Sequence, residues 1–324
     1  RPQCKRDSYL CLNGKWSFAK AKQTEEVNSF TKEILVPFSP ESLNSGIEEG
    51  FELLSDEKLV YERVFELSES FLKEKTLLHF GAVDQITEVF CNSTLLGTHT
   101  GGYTRFSFDI TELVRDGQND LTVKVEDSLD PQQPRGKQRW QDHNYACWYV
   151  QTTGIWKTVW TEYVPEYSIS RVKMTPDMNE FVLKLEFDVD APACAMDGNL
   201  LVETVVTYQD ALVSRNFTAV TAQRVTTTVD MTLMGDEGHY YNGPVWTPAK
   251  PNLYDVQLRL VRNGQILDEV GSYAAMRDIR IDGQNILLSG MRIYQKLILA
   301  QGYWKDTHLT APDEEALIRD VDTI

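Results

Sequence analysis

The sequence predicts an all-β fold of two antiparallel β-sandwiches, followed by a single strand–helix unit. Short strand-like segments separated by turn residues recur through most of the chain. From Phe181 to Asp188 apolar residues alternate with a mixed set, as in a strand with one buried face. Asn263-Gly264 lies between two such segments and is a strong signal for a hairpin turn. Many short strands with regularly spaced turns are typical of β-sandwiches.

Two breaks in this pattern predict three domains. The strand pattern is interrupted around Val164-Pro165-Glu166, and it ends near Arg277-Asp278. The predicted domains are therefore residues 1–164, 165–277 and 278–324.

The third region predicts one strand and one helix. Leu297–Ala300 is a short apolar run that suits a strand buried on both faces. Thr310 with Asp313 three residues later predicts a helix start, and an apolar stripe at helical spacing follows. The stripe consists of Leu317, Val321 and Ile324. Such a unit cannot bury its own apolar faces, so it indicates the beginning of a further domain.

Composition excludes several classes of function. The chain has 324 residues, 42% hydrophobic, and contains no run approaching the roughly 20 apolar residues of a membrane span. Its net charge of -16 disfavours nucleic acid and anionic membranes as partners. Its start has no apolar segment typical of a signal peptide, and its five cysteines show no CxxC spacing, so we expect reduced thiols and a cytoplasmic protein.

Motifs for metal or cofactor chemistry are missing from the sequence. The five histidines are far apart, and neither GxGxxG nor GxxxxGK occurs. We therefore expect no metal and no cofactor.

Aromatic and polar residues concentrate between Arg135 and Trp156. Sugars present apolar C–H faces ringed by hydroxyls, which suit tryptophan and tyrosine rings next to polar groups. Packing in a sandwich core is the alternative for any one of these rings. The candidate substrate-binding residues are Arg135, Lys137, Asp142, His143 and Trp148.

Several motifs together resemble glycoside hydrolase family 2, which includes β-galactosidases, β-glucuronidases and β-mannosidases. The stretches LHFGAVD, GGYTRFSFDITELVRDGQNDLTVKVED, PRGKQRW and YVQTTGIWKTVWTE are similar to its sugar-binding domain, a jelly-roll-like sandwich. VWTPAKPNLYDVQLRLV and GSYAAMRDI resemble its immunoglobulin-like sandwich. LILAQGYWKDTHLTAPDEEALIRDV resembles the entry into its catalytic (β/α)8 barrel, a TIM barrel.

The resemblance implies a non-catalytic N-terminal part of a retaining β-glycosidase. A complete barrel needs about 250 residues, more than follow residue 277, and the two catalytic glutamates of the family lie on later barrel strands. No catalytic residue is therefore assigned here, and we expect this chain alone to be inactive. Carbohydrate would be bound mainly through the barrel, and a homo-oligomer of the longer protein is compatible with the resemblance.

Some positions depart from the family pattern. Trp148 stands where galactose- and glucuronate-specific relatives place an aspartate that reaches the substrate. Tryptophan cannot accept hydrogen bonds from sugar hydroxyls, so Trp148 is either an aromatic wall near the sugar or a residue packed in the core. Which sugar the longer protein would cleave is therefore left open.

Two other functions remain as alternatives. One is a stand-alone carbohydrate-binding module, and the other is a structural or adhesive pair of sandwiches. The predicted strand–helix unit favours the glycosidase, because neither alternative needs the start of a barrel.

Overall fold

The computed structural model describes residues 4–69, 72, 75–235 and 238–324. Within them the chain forms two compact units. The first sandwich unit contains residues 8–163 and 298–324, and the second sandwich unit contains the described residues 4–7 together with 164–297.

The first sandwich unit is built from two main sheets. Its strands are β1 (Tyr9–Cys11), β2 (Gly14–Lys22), β3 (Lys32–Val36), β4 (Glu57–Leu67), β5 (Lys75–Phe80), β6 (Val83–Asp84), β7 (Ile86–Cys91), β8 (Thr94–Thr100), β9 (Phe106–Asp109), β10 (Gly117–Glu126), β11 (Gly154–Ile155) and β12 (Val159–Val164). One sheet has the order β1-β12-β5-β9 and the other β3-β2-β4-β10-β7-β8, while β6 and β11 form a separate pair.

Alternation along the strands directs apolar side chains into the core of this unit. Leu121, Val123 and Val125 of β10 are fully buried, and their polar neighbours in the strand are less buried. Trp16 and Tyr61 are buried beside them, and the Trp16 indole N–H donates to the carbonyl oxygen of Leu12 at 2.8 Å. Full burial of such apolar side chains stabilises the fold by about 1.5–3 kcal/mol each.

The second sandwich unit also has two main sheets. Its strands are β13 (Ser168–Asp177), β14 (Val182–Asp190), β15 (Leu200–Tyr208), β16 (Ala211–Ala219), β17 (Arg224–Asp230), β18 (Thr232–Met234), β19 (Tyr240–Asn242), β20 (Trp246–Thr247), β21 (Lys250–Pro251), β22 (Tyr254–Arg262), β23 (Gln265–Ala274), β24 (Ile279–Asp282), β25 (Asn285–Leu288) and β26 (Met291–Ile293). The main sheets have the orders β13-β14-β17 and β16-β15-β22-β23. Asn263 and Gly264 join β22 to β23 with positive φ angles, so the predicted hairpin turn is present.

The region after residue 277 differs in part from the prediction. Its first part forms a three-stranded antiparallel sheet, β24-β25-β26, which was not predicted. The strand predicted for Leu297–Ala300 is not formed, and Leu297 and Leu299 are exposed. A strand needs a neighbour to pair its backbone groups, and no described strand pairs with this segment.

The predicted helix is present, although it begins later than expected. Helix α1 spans Glu314–Thr323, and its N-cap is Asp313, whose carboxylate accepts from the Ala316 N–H at 2.6 Å. Thr310 does not cap the helix because its hydroxyl bonds to the carbonyl oxygens of Pro37 and Trp156. The predicted stripe on α1 is exposed at Leu317, Val321 and Ile324.

Candidate functional site

All five candidate substrate-binding residues lie in one long loop of the first sandwich unit. This segment, the candidate loop, comprises residues 127–153 and connects β10 to β11. A segment of this length without a strand or helix of its own needs other interactions to hold its shape. Buried polar side chains provide them.

Arg135 stabilises the first half of the candidate loop. Its guanidinium donates from Nη1 to the Arg139 carbonyl oxygen at 2.9 Å, and from Nη2 to the carbonyl oxygens of Ser128 at 2.6 Å and Asp130 at 3.0 Å. The residue is buried. Its charge is therefore directed into the loop backbone rather than towards solvent.

Gln138 connects the middle of the candidate loop by hydrogen bonds to the C-terminal end of the loop and to β6. Its buried amide donates to Asp84 Oδ2 at 2.7 Å and to the Tyr103 hydroxyl at 3.1 Å. Its amide oxygen accepts from the Thr152 backbone N–H at 2.8 Å. One side chain thus joins β6 to two distant parts of the loop.

Two buried carboxyl groups belong to the same polar network. Asp127 accepts hydrogen bonds from Gln133 Nε2 at 2.6 Å, the Ser128 backbone N–H at 2.7 Å and Gln151 Nε2 at 3.1 Å. Burial raises the pKa of Asp127, and these hydrogen bonds oppose that shift. Burial, reinforced by the charge of Asp127, raises the pKa of Asp84 to about 7.

Three rings of the candidate loop form an aromatic surface, which consists of Trp140, Tyr145 and Trp148. The ring centres of Trp140 and Trp148 are 4.6 Å apart, and those of Trp140 and Tyr145 are 5.3 Å apart, both in edge-to-face geometry. All three residues are partly exposed and none belongs to the buried core. The ammonium of Lys137 lies 5.7 Å from the Trp148 ring centre.

The C-terminal segment of the same unit contacts the candidate loop beside this surface. The rings of Tyr149 and Tyr303 have their centres 4.7 Å apart. The Tyr149 hydroxyl donates to Gln301 Oε1 at 2.5 Å. Residues 298–324 therefore support the loop as part of the first sandwich unit.

The structure brings some of the candidate residues together and separates others. Lys137 and Trp148 are neighbours, whereas Arg135 is buried within the loop. Asp142 and His143 are exposed and pair with each other at 2.5 Å, and this hydrogen bond lowers the pKa of Asp142. The His143 ring centre lies 6.2 Å from that of Tyr145, which places this pair at the rim of the aromatic surface. Binding of sugar by any of the five residues stays a prediction.

Sequence reasoning missed the buried network that supports the loop. A signal was present, because each of its main members lies in a motif that carried the family resemblance. Asp84 ends LHFGAVD, Gln138 lies in PRGKQRW, and GGYTRFSFDITELVRDGQNDLTVKVED contains Tyr103 and Asp127. These motifs therefore contain the buried residues that hold the loop in its conformation as well as residues on its surface.

This arrangement offers contacts for binding rather than acid–base groups. Asp84 and Asp127 are buried and accept hydrogen bonds from protein donors, so neither presents its carboxylate to solvent. Within residues 4–69, 72, 75–235 and 238–324, no three His, Cys, Asp or Glu side chains converge as metal ligands. In the same residues no helix has the length and apolar character that crossing a bilayer requires.

Family models match the chain in both sandwich units. The model described as the sugar-binding domain of glycosyl hydrolases family 2 matches residues 46–164, and a second model of glycosyl hydrolases family 2 matches residues 167–277. The chain belongs to glycoside hydrolase family 2.

Curated relatives with this family's activities are considerably longer than the family 2 chain described here. A putative β-glucuronidase of Formosa agariphila is 26% identical over 229 residues, which are 68% of this chain and 26% of the relative. A β-galactosidase of Thermoanaerobacter pseudethanolicus is 23% identical over 257 residues, which are 76% of this chain and 33% of the relative. The chain thus spans about a quarter to a third of these two relatives.

Solved structures show the same fold. A β-glucuronidase of Ruminococcus gnavus matches 99% of this chain and 54% of its own chain, with a TM-score of 0.74 and 17% sequence identity. At this identity the similarity establishes the fold of the family 2 sandwiches.

Proposed function

We propose that this chain is the non-catalytic N-terminal region of a retaining β-glycosidase. In this proposal the candidate loop of the first sandwich unit forms one wall of the substrate pocket. The catalytic carboxylates, about 5–5.5 Å apart in retaining enzymes, come from a different domain.

The aromatic surface carried by the candidate loop is the observation that supports this proposal most directly. Trp140 and Trp148 are partly exposed, although large aromatic side chains are usually buried. The interlocked hydrogen bonds of Arg135 and Gln138 hold the loop that carries them. A rigid aromatic surface can stack on a sugar with little loss of side-chain entropy.

The buried carboxyl groups support the non-catalytic part of the proposal. A glycosidase needs one carboxyl group that protonates the leaving oxygen and one carboxylate that attacks the sugar, both exposed to the same cleft. Asp84 and Asp127 are 2% and 4% exposed, and both carboxyl groups accept hydrogen bonds from other side chains of the protein. They are suited to holding the loop.

Activity measurements on two forms of the protein test the proposal. The chain of 324 residues and a longer natural polypeptide that contains it are purified and assayed with aryl β-galactoside, β-glucuronide and β-mannoside. We expect no release of the aryl group by the 324-residue chain and hydrolysis of at least one substrate by the longer polypeptide.

Either of two results would contradict the proposal. Hydrolytic activity that co-purifies with the 324-residue chain would show that the chain contains its own catalytic groups. No hydrolysis by the longer polypeptide, combined with tight binding of a glycan by the chain alone, would favour a carbohydrate-binding module.

A further inference from the structure

The sequence contains three Asn-Gly pairs, and the structure places them in different surroundings. They are Asn13-Gly14, Asn242-Gly243 and Asn263-Gly264. In such a pair the backbone nitrogen of the glycine can attack the side-chain amide carbon of the asparagine, because glycine has no side chain to block the approach. The reaction needs an asparagine side chain that is not held by hydrogen bonds and a backbone that can rotate. These two requirements distinguish the three pairs.

The pair in the hairpin turn of the second sandwich unit has an accessible side chain. Asn263 and Gly264 are exposed and lie between β22 and β23, outside the paired residues of the two strands. Among the described residues the Asn263 side chain has no hydrogen-bond partner. Its amide is therefore open both to the glycine nitrogen and to water.

The tip of this hairpin is weakly joined to the rest of its sheet. Asn263 and Gly264 have φ angles of 51° and 78°, and the turn must leave this left-handed conformation before the glycine nitrogen can reach the side chain. The register of the two strands shifts between Leu260 and Val261, so a bulge separates the tip from the regular ladder. Ile266 in the tip is exposed. Opening of the tip therefore breaks few contacts and needs less free energy than opening of the core strands.

The other two pairs are held in place. The side-chain nitrogen of Asn13 donates to Thr158 Oγ1 at 3.3 Å, and its oxygen accepts a backbone N–H at 3.1 Å. Asn242 is exposed, but a Cβ added to the buried Gly243 would lie 2.7 Å from the Tyr254 hydroxyl oxygen. The backbone at this second pair is packed too closely to rotate freely.

We propose that Asn263 is a site of spontaneous deamidation in the folded protein, with water as the reagent. The Gly264 nitrogen loses its proton to hydroxide and attacks the amide carbon of the Asn263 side chain. The bond from this carbon to the side-chain nitrogen breaks, and the nitrogen takes a proton from water and leaves as ammonia. Water then opens the resulting succinimide ring. Opening at the side-chain carbonyl gives aspartate, and opening at the backbone carbonyl gives isoaspartate, in which the chain continues through the side chain.

Both products change the surroundings of the turn. Each adds a negative charge beside Arg262, whose Nη2 pairs with Asp197 at 3.1 Å, so the new carboxylate would compete for this guanidinium. Isoaspartate also adds one carbon atom to the backbone of a two-residue turn, and the length of such a turn sets the register of its strands. Isoaspartate should therefore loosen the hairpin more than aspartate, which also suits this type of turn.

Peptide mapping by mass spectrometry tests the proposal. The 324-residue chain is incubated at mildly alkaline pH, once folded and once in concentrated urea, and the conversion of each asparagine is followed over time. Chromatography separates the aspartate and isoaspartate peptides. Asn13 and Asn242 are internal controls with the same neighbouring residue, and Asn263→Gln identifies the signal of the turn.

We expect a clear difference between the folded and the unfolded chain. In the folded protein Asn263 should convert faster than Asn13 and Asn242 by about tenfold or more, because the hairpin tip opens more easily than the segments that hold the other two pairs. In urea the three should convert at similar rates, because each is followed by glycine. Asn263→Gln should remove the signal of the turn.

Three results would overturn the proposal. If Asn263 converts in urea but not in the folded protein, the turn protects it. If Asn13 or Asn242 converts as fast as Asn263 in the folded protein, the surroundings do not select the site. If Asn263 does not convert even in urea, the succinimide reaction does not occur at this pair.

Discussion

Replacing Arg6 by methionine should strongly destabilise the second sandwich unit, although Arg6 is at the beginning of the chain. Residues 4–7 pack in this unit, where Lys5 and Gly271 exchange two backbone hydrogen bonds of 2.9 Å with each other. The Arg6 guanidinium then donates to both carboxylate oxygens of Asp268, from Nε at 3.0 Å and from Nη2 at 2.8 Å. The two side chains are 7% and 2% exposed.

Burial sets the magnitude of this effect. Removing one partner of a buried ion pair leaves the other charge without compensation and costs about 3–5 kcal/mol. Arg6 Nη2 also donates to the Ile169 carbonyl oxygen at 2.7 Å, and the Ile169 N–H donates to Asp268 Oδ2 at 2.8 Å. After Arg6→Met, Asp268 would retain this backbone donor but lose the guanidinium. The unfolding midpoint should fall by roughly 10–20 °C, at about 3–5 °C per kcal/mol for a domain of this size.

Thermal unfolding followed by calorimetry measures the change, with Arg224→Met as the matched control. Arg224 binds both carboxylate oxygens of Asp188 in the same unit, at 2.7 and 3.0 Å, but its side chain is 63% exposed. Solvent screens such a pair, so its loss should barely move the transition. Adding Asp268→Asn to Arg6→Met should restore part of the stability, because the amide oxygen can still accept from Ile169. Equal shifts in Arg6→Met and Arg224→Met would refute the reasoning.

Three further predictions concern the first sandwich unit. Burial raises the pKa of Asp84 to about 7, so the folded protein binds this proton more tightly than the unfolded chain, and the stability that the proton contributes falls as pH rises from about 4 to 7. Asp84→Asn should therefore flatten the dependence of the urea-unfolding midpoint on pH over that range. An unchanged slope would contradict this role of Asp84. Gly154→Ala should lower the free energy of unfolding measured in urea by about 2–4 kcal/mol, because φ at Gly154 is +75° and an added Cβ would lie 2.0 Å from the Tyr61 hydroxyl oxygen. An unchanged free energy of unfolding would contradict this packing. Arg135→Met should speed hydrogen exchange in residues 128–153 while the core strands stay protected, and uniform exchange across the unit would show that its role is not local.

Local patterns were sufficient to predict several strands of both sandwiches and the hairpin. Leu183, Leu185 and Phe187 alternate along β14 and are buried in the core of the second sandwich unit, because neighbouring residues of a strand face opposite sides of the sheet. Asn263-Gly264 predicted its turn because this pair tolerates positive φ at both positions. The strand predicted at Leu297–Ala300 failed because an apolar run indicates burial but does not provide a partner strand.

The candidate site was predictable only as a region. The sequence placed Lys137 and Trp148 in one aromatic and polar segment, and the structure makes them neighbours. Arg135 looked equally suitable for binding, yet its guanidinium is buried among carbonyl oxygens. Whether a polar side chain faces a ligand or the backbone depends on the loop conformation, which residue types do not specify.

The amino-acid sequence by itself determined the all-β class and, through the order of its motifs, membership of family 2. Only the tertiary structure decided which distant segments support one another. Gln138 meets Asp84 across 54 positions, and Arg6 meets Asp268 across 262. Periodicity and capping depend on interactions within a few residues, so they can be read along the chain. A contact between residues that are remote in the chain forms only after the fold has brought their two backbones together. The local sequence does not specify which remote segments become neighbours.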